Sequence, residues 1–152
     1  MPLPVAVRRL AYRVAYRVLQ VIWLVRRPAK VGVKCLLVND RRILLVRHTY
    51  GDRVWDLPGG ALRRREAPLD GARREMREEL GVGDATWTSL GAVHGTVHHR
   101  RDTIHCYRAD LPSPALTLDL GELAVAQWFA PARLPDDLGP YVASIVARDR
   151  PS

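Results

Sequence analysis

The stretch GALRRREAPLDGARREMREELGV, Gly60 to Val82, decides how the rest of the chain is read. It holds Glu66, Glu75, Glu78 and Glu79, in a chain whose 24 Lys and Arg outweigh its 16 Asp and Glu. Wound as an α-helix, Glu75, Glu78 and Glu79 fall within an arc of roughly 100°. Leu69, Ala72, Met76 and Leu80 follow the spacing of a buried stripe beside that arc, so the carboxylates border the core and their repulsion is poorly screened. Acids placed in this way either take up protons or hold a cation. With no His or Cys in the stretch, the expected cation is a hard one, magnesium or manganese. Pro68 suits the first turn of such a helix, and Gly81 the left-handed position just past its end. Inside the helix Gly71 costs about 1 kcal/mol relative to Ala. Ala67 is a poor cap, which leaves Glu66 as the group expected at the N-terminus. The plainer alternative is a solvated face laced by pairs such as Arg74 to Glu78, each contributing a few tenths of a kcal/mol.

At 152 residues, 47% apolar and 26% charged, the chain has the size and composition of one globular domain with a real core. A formal net charge of +8 favours polyanionic partners: nucleotide phosphates, nucleic acid or an anionic membrane surface. Nearly all of the positive charge is Arg, which grips phosphate in a fork that Lys30 and Lys34 cannot form. Cys35 and Cys106 stand apart in strand-like runs and read as buried thiols in a reducing, cytoplasmic compartment.

Before the central stretch, residues Val5 to Val25 read as one basic amphipathic helix, with Arg9, Arg13, Arg17 and Gln20 at helical spacing. Its uncharged run, Val18 to Val25, is far shorter than the roughly 20 apolar residues that span a bilayer, and no small-residue cleavage site follows it. Three readings are open for this helix: packing on its own domain or in a homodimer, lying on a membrane surface through residues 5–25, and docking an unidentified partner. The expected division is therefore 1–29 as the helix and 30–152 as the main domain, with Pro28 ending the helix. Val31 to Val38, Asn39-Asp40 and Ile43 to Val46 read as a β-hairpin of central strands, apolar on both faces. After the central stretch, Thr86 to His94 reads as a strand. Thr96 to His99 and Thr103 to Ala109 read as a hairpin turning at Arg100-Arg101-Asp102. His94, His98, His99 and His105 lie here as candidates for zinc, for substrate contact or proton transfer, or for incidental strand positions. A loop over Leu111 to Leu118, a strand over Ala124 to Phe129, a short helix over Pro131 to Leu138 and a final helix over Tyr141 to Arg148 complete the chain.

The order Gly60, Glu66, Arg74-Glu75, Met76, Arg77, Glu78-Glu79, Leu80, Gly81, Val82 resembles the Nudix box without a gap, and Trp55-Asp56-Leu57-Pro58-Gly59 resembles its usual lead-in. The resemblance extends over about Val31 to Arg148. It implies an α/β fold, an α/β/α sandwich with a mixed β-sheet, to which the N-terminal helix is an addition. The implied enzyme is a magnesium-dependent pyrophosphohydrolase cleaving the diphosphate linkage of a nucleoside diphosphate joined to another moiety: a nucleotide, a nucleotide sugar or a dinucleotide. Alternatives are a catalytically weak nucleotide-binding module and a hydrolase of capped or polyphosphorylated RNA ends, with nucleic acid the lesser expectation among partners. By position, the Gly60 carbonyl, Glu75, Glu78 and Glu79 would ligate magnesium (manganese as substitute). Arg74 would orient the acids and Glu66 would support the loop. Glu75, Glu79 and Glu122 are the candidates for general base, and where some members carry a further Glu beyond Glu122 this chain has Val125. Arg47, Arg63, Arg64 and Arg101 are the candidate substrate contacts. Members that cleave ADP-ribose tend to carry a Pro after the box, and those that cleave dinucleoside polyphosphates a Tyr. Thr96 to Arg101 offers neither, and the pattern associated with coenzyme A is absent.

Overall fold

Two apolar runs joined by a tight turn build the centre of the molecule. In the computed structural model, which describes residues 2–26 and 29–149, β1 (Ala29–Asn39) and β2 (Arg42–His48) form the expected hairpin. The chain reverses through Asp40 and Arg41, both at positive φ (46° and 59°), as a two-residue turn matched to strand twist requires. The next elements are β3 (Gly59–Ala61), α2 (Pro68–Leu80), β4 (Trp87–Val97), β5 (Arg100–Asp110), β6 (Leu123–Phe129) and α3 (Val142–Arg148). The sheet runs β4-β5-β1-β2-β6, with β3 paired to β1 as well. β1 lies parallel to β5, and the other pairings are antiparallel, so the sheet is mixed.

Because side chains alternate along β1, one strand feeds both cores. Val33, Cys35 and Leu37 pack with Ala72, Met76 and Leu80 of α2 on one face. Leu36 and Val38 pack with Val142 and Ile145 of α3 on the other. This is the expected α/β/α sandwich, and covering both faces is why β1 reads as a nearly unbroken apolar run.

Three expectations need correction. The β4–β5 hairpin turns at His98-His99, both at positive φ (49° and 64°), and not at Arg100-Arg101-Asp102. Arg100 and Asp102 instead sit buried inside β5, where Arg100 Nε donates to Asp102 Oδ1 at 2.8 Å. As a result the runs expected as two strands, Thr86 to His94 and Thr96 to His99, give a single strand, β4 (Trp87–Val97). The short helix expected over Pro131 to Leu138 is only a 3-10 turn, Pro131–Arg133.

Preceding the sheet is α1 (Val5–Arg26), and none of its residues is buried. It turns its aromatic and arginine face inward. Arg8 pairs with Asp119, while Arg9 Nε and Arg13 Nε each donate at 3.0 Å, to the carbonyls of Leu120 and Thr49. The aliphatic face points away from the domain, with Leu10, Val14, Val18 and Val21 all exposed. No helix among the described residues is long and apolar enough to cross a membrane. Pro28, expected to end the helix, lies outside the described residues.

Candidate active site

Local geometry around α2 follows from its ends. Pro68 occupies the first turn, and Gly81 closes the helix at φ 66°, donating its N–H to the Arg77 carbonyl while Val82 donates to Met76, both at 3.1 Å. Ala67 provides no side-chain cap. Glu66, expected at this N-terminus, is used otherwise: its carboxylate accepts the Arg63 N–H at 3.0 Å and two Arg74 bonds at 2.7 and 2.8 Å. Those bonds, with Arg74's the larger influence, hold Glu66 down to about 2. The structure also supplies the reason for a glycine inside the helix. A Cβ on Gly71 would run into Leu62 and lie 3.0 Å from Glu66 Oε1, so the bare backbone lets the loop and its carboxylate lie against α2.

The acids of α2 divide between core and rim. Glu79 is 1% exposed, and neither of its oxygens has a hydrogen-bond partner. Burial, then the charges of Glu122 and Glu75, push its carboxyl well above the ordinary range. Glu75 is also buried; it accepts from Arg74 Nη1 at 2.9 Å and abuts the backbone of β3. A Cβ on Gly60 would lie 2.5 Å from the Glu75 carboxyl carbon, so only a glycine admits this approach. Glu78 stays exposed at the rim, 3.4 Å from Arg63 Nη2 and 3.3 Å from Arg74 Nη1.

Glu122 enters from the turn before β6. It accepts the Tyr50 hydroxyl at 3.1 Å, and burial raises its carboxyl while that bond lowers it. Tyr50 itself is pushed up by burial and by Glu122, so it remains a donor. Removing the hydroxyl in Tyr50→Phe is expected to raise Glu122 further. The acidic limb of a pH–rate profile should then move to higher pH with folding intact; an unmoved limb would mean that Glu122 takes no part in that titration.

Among the described residues no three His, Cys, Asp or Glu side chains form a ready-made coordination shell. A cation nonetheless fits here: two unpartnered, buried oxygens on Glu79, neighbouring the Glu75 carboxylate that lies against Gly60, are hard oxygen donors without a proton donor to satisfy them. The histidines do not converge. His94 Nδ1 lies 3.2 Å from Thr103 Oγ1, and His98 Nε2 lies 2.9 Å from Asp52.

Glu75 and Glu122 open onto a cavity of about 740 Å³, within the range of small-molecule sites, whereas Glu78 and Glu79 are not among its lining residues. It runs from Gly60, Glu75 and Glu122 to Lys30, Lys34 and Arg100 on the α3 side, and Tyr12, Tyr16 and Trp23 of α1 form one wall. A match to the NUDIX domain family covers residues 26–148.

The chain belongs to the Nudix family.

An RNA pyrophosphohydrolase of Halorhodospira halophila is 37% identical over 69 residues, 45% of this Nudix chain and 38% of that protein. An ADP-ribose pyrophosphatase of Mycobacterium tuberculosis is 51% identical over 53 residues, 34% of this chain and 26% of that one. The chain thus spans less than half the length of these curated relatives. Among solved structures, a MutT NUDIX hydrolase from Burkholderia pseudomallei superposes with a TM-score of 0.74 at 25% identity, covering 80% of this chain and 98% of the other.

None of the four arginines expected at the substrate lines the cavity of this Nudix chain. Arg47 is bound to Asp137 at 2.5 Å and lies over the Trp55 ring, Arg63 and Arg64 sit exposed in the loop before α2, and Arg101 is exposed on β5. The cations that do line it are Lys30, Lys34, Arg53 and Arg100. Lys34 pairs with Asp56 at 2.5 Å and Arg100 with Asp102, whereas Lys30 forms no ion pair among the described residues. Burial, followed by the charges of Arg100 and Lys34, lowers the Lys30 ammonium to about 8. A signal for these residues was present in the sequence: Lys30 and Lys34 are the only lysines in an Arg-rich chain, and both interrupt an apolar strand.

Proposed function

We propose that this chain is a magnesium-dependent pyrophosphohydrolase cleaving the diphosphate linkage of a nucleoside diphosphate joined to a second moiety. The observation that carries the reading is Glu79: a buried carboxylate with no donor to either oxygen, neighbouring Glu75, which in turn lies against the Gly60 backbone. A divalent cation bound there would neutralise charge on the phosphate oxygens and ease deprotonation of the attacking water.

The chain's own residues supply the rest. Arg74 fixes Glu75 and Glu66 through charge-assisted hydrogen bonds, so Glu75 is held toward Gly60. Glu78, at the rim, is the remaining carboxylate proposed to hold the cation, on releasing Arg63. Glu122, aimed by Tyr50, stands with Glu75 and Glu79 as a candidate for accepting the water's proton. Lys30 and Lys34 offer positive charge to phosphates that the acids would repel.

The names of relatives support two substrate classes, small nucleotides and RNA ends. The α1 wall and the cavity's volume of about 740 Å³ favour the smaller. Phosphate release should be measured on ADP-ribose, nucleotide sugars, dinucleoside polyphosphates and a 5′-triphosphorylated RNA. Turnover of at least one small substrate is expected with magnesium or manganese, with loss of at least about 10²-fold in chelator. Preference for the RNA would reverse the substrate assignment, and turnover surviving the chelator would reject the cation's role.

The division at residues 29 and 30 and a cytoplasmic location are part of the same proposal. Homodimerisation and peripheral contact with an anionic membrane would each cover the aliphatic outer face of α1, and sedimentation with and without anionic vesicles separates them.

A further inference from the structure

The helix outside most of the family match carries a continuous aromatic train into the cavity. Tyr12 stacks on Tyr50 with centroids 5.7 Å apart, Tyr50 lies 5.3 Å from Tyr16, Tyr16 meets Trp23 edge-on at 5.7 Å, and the Arg100 guanidinium lies 4.0 Å over the Trp23 ring. From Tyr12 to Trp23 the helix rises roughly 16 Å at about 1.5 Å per residue, the scale of an extended nucleotide rather than of a phosphate alone. None of these α1 side chains is buried, so the train is not core packing that merely borders a hole.

Cations line the same cavity: Lys30, Lys34 and Arg100. A Cβ at Gly32 would lie 2.9 Å from the Gly60 carbonyl oxygen and 3.5 Å from Lys30 Cε, so the Lys30 side chain and the Gly60 carbonyl flank the same spot. The cavity therefore presents cations and the acids Glu75 and Glu122 together with a wall of angled aromatic rings. A ligand matching both is anionic along one edge and carries a planar ring on the other.

We propose that α1 is the nucleobase-recognition wall of this cavity, with the base of a nucleoside diphosphate seated in the corner between Tyr16 and Trp23, stacked on one ring and edge-on to the other, and its phosphates over Lys30 and Lys34 beside Gly60. The assignment deepens the hydrolase reading and shares its site, but it concerns binding and is tested by binding. Stacking on an aromatic side chain tolerates different bases, so this wall selects for a base without selecting strongly among them.

The test is calorimetric titration of ADP and, separately, inorganic pyrophosphate, each with magnesium, into the intact protein and its variants. Trp23→Ala and Tyr16→Ala are expected to weaken ADP by about tenfold and to leave pyrophosphate within about twofold. Trp23→Phe should restore most of the ADP affinity, and Lys30→Ala should weaken both ligands. Val14→Ala, on the outer face of the helix, should alter neither. An equal loss for ADP and pyrophosphate in both aromatic variants, or no loss for either, overturns the proposal, as does an absence of ADP binding to the unmodified protein. Base-dependent loss in a protein that hydrolyses no nucleoside diphosphate derivative would uphold the wall while retiring the hydrolase reading, so the two fail separately.

Discussion

Glu79→Gln is expected to lower turnover by at least about 10²-fold and, in the metal-free protein, to raise the melting temperature. The two effects share a cause. Glu79 is buried with both oxygens unpartnered, and burial with the neighbouring Glu122 and Glu75 holds its carboxyl well above the usual 4.5. The unfolded chain gives up that proton near 4.5 while the folded chain keeps it to a higher pH. Stability is therefore complete below 4.5 and is lost as pH rises toward the folded value. An amide carries no charge and removes that loss. Magnesium should raise the melting temperature of the unmodified protein and have little effect on the variant. Near-normal turnover, or a metal-free variant that melts lower at neutral pH, would reject the role given to Glu79.

Gly60→Ala is the second large effect. The added methyl would meet the Glu75 carboxyl carbon at 2.5 Å, so either Glu75 leaves Arg74 or β3 shifts from its pairing with β1, where Gly60 lies opposite Val33. Either outcome moves a carboxylate and a backbone carbonyl relative to each other. Turnover should fall by about 10²-fold, since a displacement of about 1 Å in a positioned group suffices for that. The cost in stability should be smaller, about 1–3 kcal/mol, because the site is partly open and can relax. Gly83→Ala is the matched control: a Cβ there meets nothing within 4 Å, and both turnover and melting should stay unchanged. Full turnover in Gly60→Ala would mean that the Glu75 approach to β3 has no part in catalysis.

How far the sequence reaches depends on whether a residue's environment is local. The spacing of Ala72, Met76 and Leu80 and the terminal Pro68 and Gly81 are properties of one helix, and they placed α2 correctly. The two-faced apolar run of β1 likewise announced a covered central strand. Arg100 to Asp102 misled because charged residues usually mark turns. Here Arg100 and Asp102 neutralise each other inside β5, Tyr141 donates to Asp102 at 3.1 Å, and the turn falls on two histidines. The facing of α1 is not legible in its pattern for a related reason. An amphipathic helix ordinarily turns its aliphatic stripe inward, but this one borders a polar cavity, so arginines and aromatics face in. Arg63 and Arg64 stand out as part of a charge run, whereas the cavity takes Lys30 and Lys34 from β1 and Arg100 from β5; the two lysines are visible in the sequence, and the parallel pairing that brings Arg100 beside them is not.

Residues 26–148 bound the likeness to the family, yet the perimeter of the cavity reaches back to Tyr12. Proteins that share the α2 acids are thereby alike in the bond they are equipped to attack. Ancestry read over that span is silent on Tyr12, Tyr16 and Trp23, and so on what lies at the far end of the molecule being cut. On the roles proposed above, a protein shortened to the shared span would keep the α2 acids and lose the aromatic wall.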